Sequence, residues 1–276
     1  MAPVRTGLDE RLDQLRNQLV EDANELMRIY SVAVDSLISL DVENVNQVLT
    51  ARYEARKIFW ERTGDILLVL SLNQPMMGDL RMISTFLRGS DTIERGMRHA
   101  RDISQTSSLL ANELEIDKIP HDLIDLIQTM NKLLMDMISN IFDSINSKSG
   151  LNIEYISDKW EEIGNIWETC QEVISVTPGA EIGSKTGRLN LFRAISRMER
   201  TGYNFVRFAD HWHHALNNEW ISIEIKSMKQ QFLVELGKPI IRYQQTSSSK
   251  HQLPLLCQLT DAGSQASIAY PCPLGQ

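Results

Sequence analysis

Two stretches of this 276-residue chain align with each other without a gap, and this duplication limits the folds that the chain can adopt. FLRGSDTIERGMRHARDI (residues 86–103) and LFRAISRMERTGYNFVRF (residues 191–208) place Arg88 opposite Arg193 and Glu94 opposite Glu199. The offset of 105 residues is longer than the period of a solenoid repeat. The pattern therefore predicts two copies of one larger helical unit.

Apolar residues recur at intervals of three and four on both sides of the duplication, which is typical of helices with one buried face. In the first half they predict helices from Leu8 to Leu40, from Asp41, which can cap the helix, to about Leu70, and from Gln74-Pro75 to about Leu110. In the second half they predict helices that begin near residues 120, 153 and 188. No segment is typical of a strand. We expect an all-α fold in which two tandem three-helix repeats, residues 8–113 and 120–216, form one antiparallel bundle.

The composition changes after the second repeat. Residues 217–236 predict an extra short helix. From Gly237 onward the chain holds four of its eight prolines and few charged residues, and it is rich in Ser, Gln and Thr. This composition predicts a flexible tail over residues 237–276.

The charge and hydropathy of the chain disfavour several classes of protein. The formal net charge of −8 argues against a general nucleic-acid binder, because such proteins need a positive field to attract phosphates. No apolar run approaches the roughly 20 residues that cross a bilayer. The three cysteines form no Cys-x-x-Cys pair, which excludes a zinc ribbon or a redox motif of that kind. We expect a cytoplasmic protein that does not insert into a membrane.

The usual sequence signatures of enzymes are absent. The chain contains no Gly-x-Ser-x-Gly, no P-loop and no Gly-x-Gly-x-x-Gly, so we expect no catalytic activity. Its one histidine cluster leaves a weak alternative, a metal site formed by Asp210, His211 and His214, in which Asp210 and His214 share one helical face. The cluster also fits a polar helix end, where histidine complements the helix dipole.

Residues 72–103 carry several short motifs at fixed spacing: Gln74-Pro75, Asp79-Leu80-Arg81 and Ile93-Glu94-Arg95. In the second half, the last of these recurs as Met198-Glu199-Arg200-Thr201-Gly202. The combination resembles the PhoU family of phosphate-uptake regulators, whose members typically show Gln-Gln-Pro, Asp-Leu-Arg and Leu-Glu-Arg-x-Gly-Asp in this order. The resemblance spans roughly residues 8–216 and implies two three-helix repeats.

The chain departs from that family where the family's carboxylate pairs bind multinuclear metal clusters. The Asp expected four residues after Glu94 is Arg98, and the one expected after Glu199 is Tyr203. The pair on the second helix falls on Arg52 and Arg56, and its counterpart in the second half falls on Trp160 and Gly164. Arginine is always cationic and cannot ligate a metal. We therefore predict that the family's metal clusters are absent and that the chain binds no cofactor.

The charges of residues 86–103 allow two interpretations. Glu94–Arg98 and Asp91–Arg95 are i,i+4 pairs that would stabilise an exposed helix by roughly 0.2–0.5 kcal/mol each. Alternatively, arginines have turned an acidic surface into a face that binds an anion or a protein partner. The candidate residues of this face are Arg52, Arg56, Asp79, Arg81, Glu94, Arg95, Arg98, Glu199 and Arg200.

The resemblance implies a regulatory adaptor that restrains phosphate uptake and phosphate-starvation signalling through protein contacts. The implied partner is the ATPase subunit of a phosphate transporter or a phosphate-sensing kinase, and a homodimer is expected through exposed apolar faces. Two alternatives remain open: a metal-binding helical bundle or enzyme, and a helical scaffold for a pathway unrelated to phosphate.

Overall fold

A computed structural model describes residues 6–111, 119–177 and 185–221. Within these ranges the chain forms six helices and no strand, which confirms the predicted all-α fold. No helix there carries a stretch long and apolar enough to cross a bilayer. The helices are α1 (Thr6–Ser39), α2 (Glu43–Asn73), α3 (Met77–Ala111), α4 (His121–Asn146), α5 (Ile153–Val176) and α6 (Lys185–Asn217).

The packing of the six helices follows the two halves of the chain. Helices α1, α3, α4 and α6 contact one another in the centre, with α3 against both α1 and α6 and α4 against both α1 and α6. Helix α2 packs on α1 and α3, and α5 packs on α4 and α6. Each outer helix therefore covers the two central helices of its own half, as two three-helix repeats in one bundle require.

Four of the described helices end near a residue with left-handed backbone geometry. These residues are Leu40, Gln74, Lys148 and Asn218, with φ between 43° and 59°. A left-handed residue redirects the chain and is a common helix stop, although glycine is the usual choice. After Asn218 the described residues are not helical, so the predicted extra helix does not begin at residue 217. The rest of the predicted helix, up to residue 236, and the predicted tail over 237–276 lie outside the described residues.

Two leucines of α1 pack onto two glycines of α3. A Cβ atom on Gly89 would lie 2.9 Å from Leu19 Cδ2, and one on Gly96 would lie 2.9 Å from Leu26 Cδ2. Both the leucines and the glycines are seven residues apart, so the two contacts repeat along one helix–helix seam. Close packing against leucine therefore favours glycine at both positions of α3.

The second half contains a similar close approach between α5 and α6. A Cβ atom on Gly202 would lie 2.7 Å from Trp160 Cζ3 and 3.5 Å from Leu134 Cδ1. Trp160 is buried and stands at a position where the family resemblance implies a carboxylate. This position of the second half therefore serves the core of the bundle.

We predict that Gly202→Ala lowers the free energy of unfolding by about 1–3 kcal/mol, because the added methyl group overpacks the buried Trp160 ring. Gly164→Ala in α5 is the matched control, since a Cβ there meets nothing within 4 Å and alanine favours a helix. Chemical denaturation of the two variants and the parent checks both. Equal stability of the two variants would contradict the packing argument.

Candidate functional site at the junction of α2, α3 and α6

Glu94 joins α2 to α3 through two arginines. Its Oε1 atom accepts a hydrogen bond from Arg52 Nη2 at 2.5 Å, and its Oε2 atom lies 2.9 Å from Arg98 Nε. The side chains of Arg52 and Glu94 are only 10% and 11% exposed. The predicted Glu94–Arg98 pair is therefore present, but the pair with Arg52, 42 residues away in the chain, makes Glu94 a largely buried inter-helix bridge.

Asp102 makes the corresponding link between α3 and α6. Its Oδ1 atom accepts from Arg101 Nη2 at 2.5 Å, and its Oδ2 atom lies 3.2 Å from Arg197 Nε. The ion pairs of Asp102 are thus with Arg101 and Arg197. Both oxygens of Asp102, like both oxygens of Glu94, are thus occupied by guanidinium groups.

Five arginines, Arg52, Arg56, Arg98, Arg101 and Arg197, form what we call the arginine cluster. Burial lowers the pKa of Arg52; Glu94 raises it in opposition, while Arg101, Arg98 and Arg56 lower it further by like-charge repulsion. Arg52 Nε and Nη1 are buried without a hydrogen-bond partner among the described residues. Exposed Arg56 forms no ion pair with another described residue. The cluster therefore holds more guanidinium groups than its carboxylates neutralise.

His99 connects this region to the core through a chain of hydrogen bonds. Its Nδ1 atom lies 2.9 Å from Thr201 Oγ1, which also accepts from the Tyr30 hydroxyl at 3.0 Å and donates to the carbonyl of Arg197. Since the threonine proton is used on that carbonyl, His99 donates through Nδ1. Burial, reinforced by Arg197, lowers the pKa of His99 to about 4. His99 is therefore a neutral hydrogen-bond donor that ties α3 to α6.

The structure separates the remaining residues of the predicted face. Arg95 pairs with Asp91 at 2.9 Å on a half-exposed surface, as the i,i+4 spacing predicts. Asp79 and Arg81 lie 15 and 13 residues before Glu94 on α3, about 20 Å away at 1.5 Å per residue. Exposed Arg200 and half-buried Glu199 lie on α6, and the charge of Arg200 contributes to the lowered pKa of His99.

Sequence reasoning missed Arg101, Asp102 and Arg197 as members of the site. The density of charge along residues 91–102 is the only signal that could have indicated the first two. Arg197 reaches the site because α6 packs against α3, and no short sequence motif predicts that contact between the helices.

The suggested metal site at the end of α6 has a different arrangement. Asp210 is buried and lies 3.2 Å from Arg207 Nη1. His214 stacks on Trp220 with ring centroids 4.1 Å apart, and His211 meets the same ring edge-on at 5.2 Å. Nowhere in the described ranges do three His, Cys, Asp or Glu side chains come close enough to hold a metal ion. The three residues thus contribute to an aromatic and ion-paired helix end.

An exposed apolar surface follows α2 past its end into the start of α3, and we call it the apolar ridge. Its large side chains are all about half exposed or more. Leu67, Leu68 and Leu72 follow Trp60 at spacings that keep them on one side of α2. Contiguous apolar surface of this kind commonly marks an interaction site. The members of the ridge are Trp60, Leu67, Leu68, Leu72, Met76, Met77 and Leu80.

A family comparison matches part of the first half of the chain. The model described as the PhoU domain matches residues 23–107, which extend from α1 through nearly all of α3. The matched segment contains Arg52, Arg56, Glu94, Arg98 and the whole apolar ridge.

Similar proteins cover more of the chain. A phosphate-specific transport system accessory protein PhoU homolog from Zymomonas mobilis is 19% identical over 204 residues, which are 74% of this chain and 84% of that protein. The PhoU homolog 1 of Methanothermobacter thermautotrophicus is 21% identical over 73% of this chain and 90% of its own length.

Solved structures show the same fold. The crystal structure of PhoU from Pseudomonas aeruginosa superposes with a TM-score of 0.68 at 16% identity, covering 76% of this chain and 99% of that one. PhoU from Streptococcus pneumoniae, described as a phosphate transport system regulatory protein, gives a TM-score of 0.66 at 16% identity, covering 78% of this chain and 99% of that one.

We predict that Glu94→Gln lowers the free energy of unfolding by about 3 kcal/mol, because it leaves the buried Arg52 charge without its counter-ion. Asp91→Asn removes a half-exposed ion pair on the same helix and should cost less than about 1 kcal/mol. Urea denaturation compares the two variants. If Glu94→Gln costs no more than Asp91→Asn, the bridge does not hold α2 to α3.

We also predict that His99 makes stability depend on pH. The unfolded chain protonates this residue near pH 6.5 and the folded chain only near pH 4, so the unfolded state binds more protons between these values. The free energy of unfolding should therefore fall as the pH is lowered from 6.5 to 4, and His99→Gln should make this fall shallower. Exposed His121 supplies the control, since His121→Gln should leave the profile of the parent unchanged. Identical profiles for both variants would refute the assignment.

Proposed function

Because the chain belongs to the PhoU family, we propose that it is a regulatory accessory protein of a phosphate transport system. The observation that carries this proposal is the PhoU domain match over residues 23–107. Two relatives named as accessory proteins of phosphate-specific transport systems support it, because both align over nearly three quarters of the chain. The role is regulatory and not catalytic.

The proposed action is restraint of phosphate uptake by contact with another protein in the cytoplasm. The partner is the ATPase subunit of the transporter or a phosphate-sensing kinase. The arginine cluster is the proposed contact surface, because Arg56 is exposed, Arg98 is half-exposed, and guanidinium groups bind carboxylates with charge-assisted hydrogen bonds. The chain performs this role without the metal clusters of its family, since arginines occupy the ligand positions of α2.

The apolar ridge is the proposed surface for a homodimer. Trp60, Leu68 and Leu72 are large side chains that monomeric proteins seldom expose together. A second copy that packs against the ridge would remove this apolar area from water.

The test is affinity capture with the full chain from native lysates of phosphate-rich and phosphate-starved cells, read by mass spectrometry. We expect a transporter ATPase or a phosphate-sensing kinase whose recovery changes with phosphate supply. Arg56→Glu/Arg98→Glu should lose this partner, whereas Arg88→Glu/Arg193→Glu, with the same change in charge at exposed positions outside the cluster, should keep it. Partners unrelated to phosphate, recovered equally in both conditions, would instead identify the chain as a scaffold for another pathway.

A further inference from the structure

We propose that the arginine cluster binds a phosphate-type oxyanion, so that the chain itself detects phosphate. The inference deepens the proposed regulatory function and rests on it, since that function is what assigns phosphate to the chain. The ligand class comes from the chemistry of the site: several guanidinium groups on facing helices suit a compact tetrahedral anion.

The arginine cluster carries an excess of positive charge that an anion would neutralise. Glu94 and Asp102 each have both carboxylate oxygens occupied, the first by Arg52 and Arg98 and the second by Arg101 and Arg197. Arg56 adds a fifth guanidinium group without an ion pair to a described residue. The whole chain carries a net charge of −8, so this positive surface runs against the overall balance. An oxyanion among these groups would replace repulsion between arginines with attraction.

Arg52 gives the site a fixed donor. Its side chain is nine-tenths buried, and the Glu94 bridge at 2.5 Å sets the orientation of its guanidinium group. Nε and Nη1 have no hydrogen-bond partner among the described residues, and buried N–H groups in this state favour any acceptor that can reach them. Fixing donors before the ligand arrives reduces the entropy that binding would otherwise cost.

Arg56 and Arg98 supply the adaptable donors. Arg56 is one turn beyond Arg52 on α2, and Arg98 is one turn beyond Glu94 on α3, so both can reach the buried guanidinium group from the solvent side. Both side chains are at least partly exposed, which allows them to close over an anion without disturbing the core. A bound anion would therefore join α2 to α3 at a second point beside the Glu94 bridge.

The test is isothermal titration calorimetry of the purified full chain with inorganic phosphate, at an ionic strength held constant with potassium chloride. We expect saturable binding with a Kd of about 1 mM or tighter. Arg56→Gln/Arg98→Gln should weaken it by about ten-fold or more, because two charge-assisted contacts are lost. The matched control Arg88→Gln/Arg193→Gln removes the same charge from exposed positions outside the cluster and should change the Kd by less than about two-fold.

Two results would overturn the proposal. One is the absence of saturable heat with the parent chain. The other is an equal weakening by both double variants, which would show a diffuse field of charge and no site. Thermal unfolding confirms that each variant is folded. The titration contains no partner protein, so a failure to bind phosphate would leave the regulatory proposal standing. Capture of the same partners with and without phosphate would instead count against the regulatory proposal, and it would leave a measured Kd for phosphate unaffected.

Discussion

The seam between α1 and α3 is the constraint on which the rest of the bundle depends. Leu19 and Leu26 fit against Gly89 and Gly96, and a larger residue at either glycine would have to displace the end of the leucine side chain that faces it. Helix α3 also packs against α2 and α6, so its position fixes both neighbours. The geometry of the arginine cluster follows from this close approach, because Glu94 and Asp102 can reach α2 and α6 only while α3 is packed against α1.

How far the sequence predicts this structure depends on the range of the interaction. Apolar spacing located six helices to within a few residues, because a buried face imposes the same period throughout a helix. The i,i+4 pair of Glu94 with Arg98 could likewise be predicted, because both residues lie on one helix. The bridge from Glu94 to Arg52 could not be predicted, because it depends on how α2 is rotated against α3. The ion pair of Arg197 with Asp102 depends in the same way on the packing of α6 against α3. The close approach of Leu26 to Gly96 could not be predicted either, since it also depends on the packing of two helices.

Glu94 shows how one residue of a family motif can keep its place and change its partners. The resemblance implies, at this motif, a carboxylate that faces other carboxylates around a metal. In this chain it faces Arg52 and Arg98, which hold it as a counter-ion. The fold tolerates the exchange because an acid between two guanidinium groups satisfies both of its oxygens. The fold can therefore be shared while the side chains of the site differ, and function has to be argued from those side chains.

The contact of Trp160 with Gly202 bears on how many partners one chain can engage. The duplicated bundle places this contact in the second half, where Trp160 corresponds to Arg52 and Gly202, at the offset of 105 residues, corresponds to Met97. An indole ring against a glycine gives core packing in the second half, while four of the five clustered arginines belong to the first half. The two halves therefore differ chemically, and the described part of the chain has one such surface. The proposed ligand would bind it with a one-to-one stoichiometry, even though the architecture is twofold.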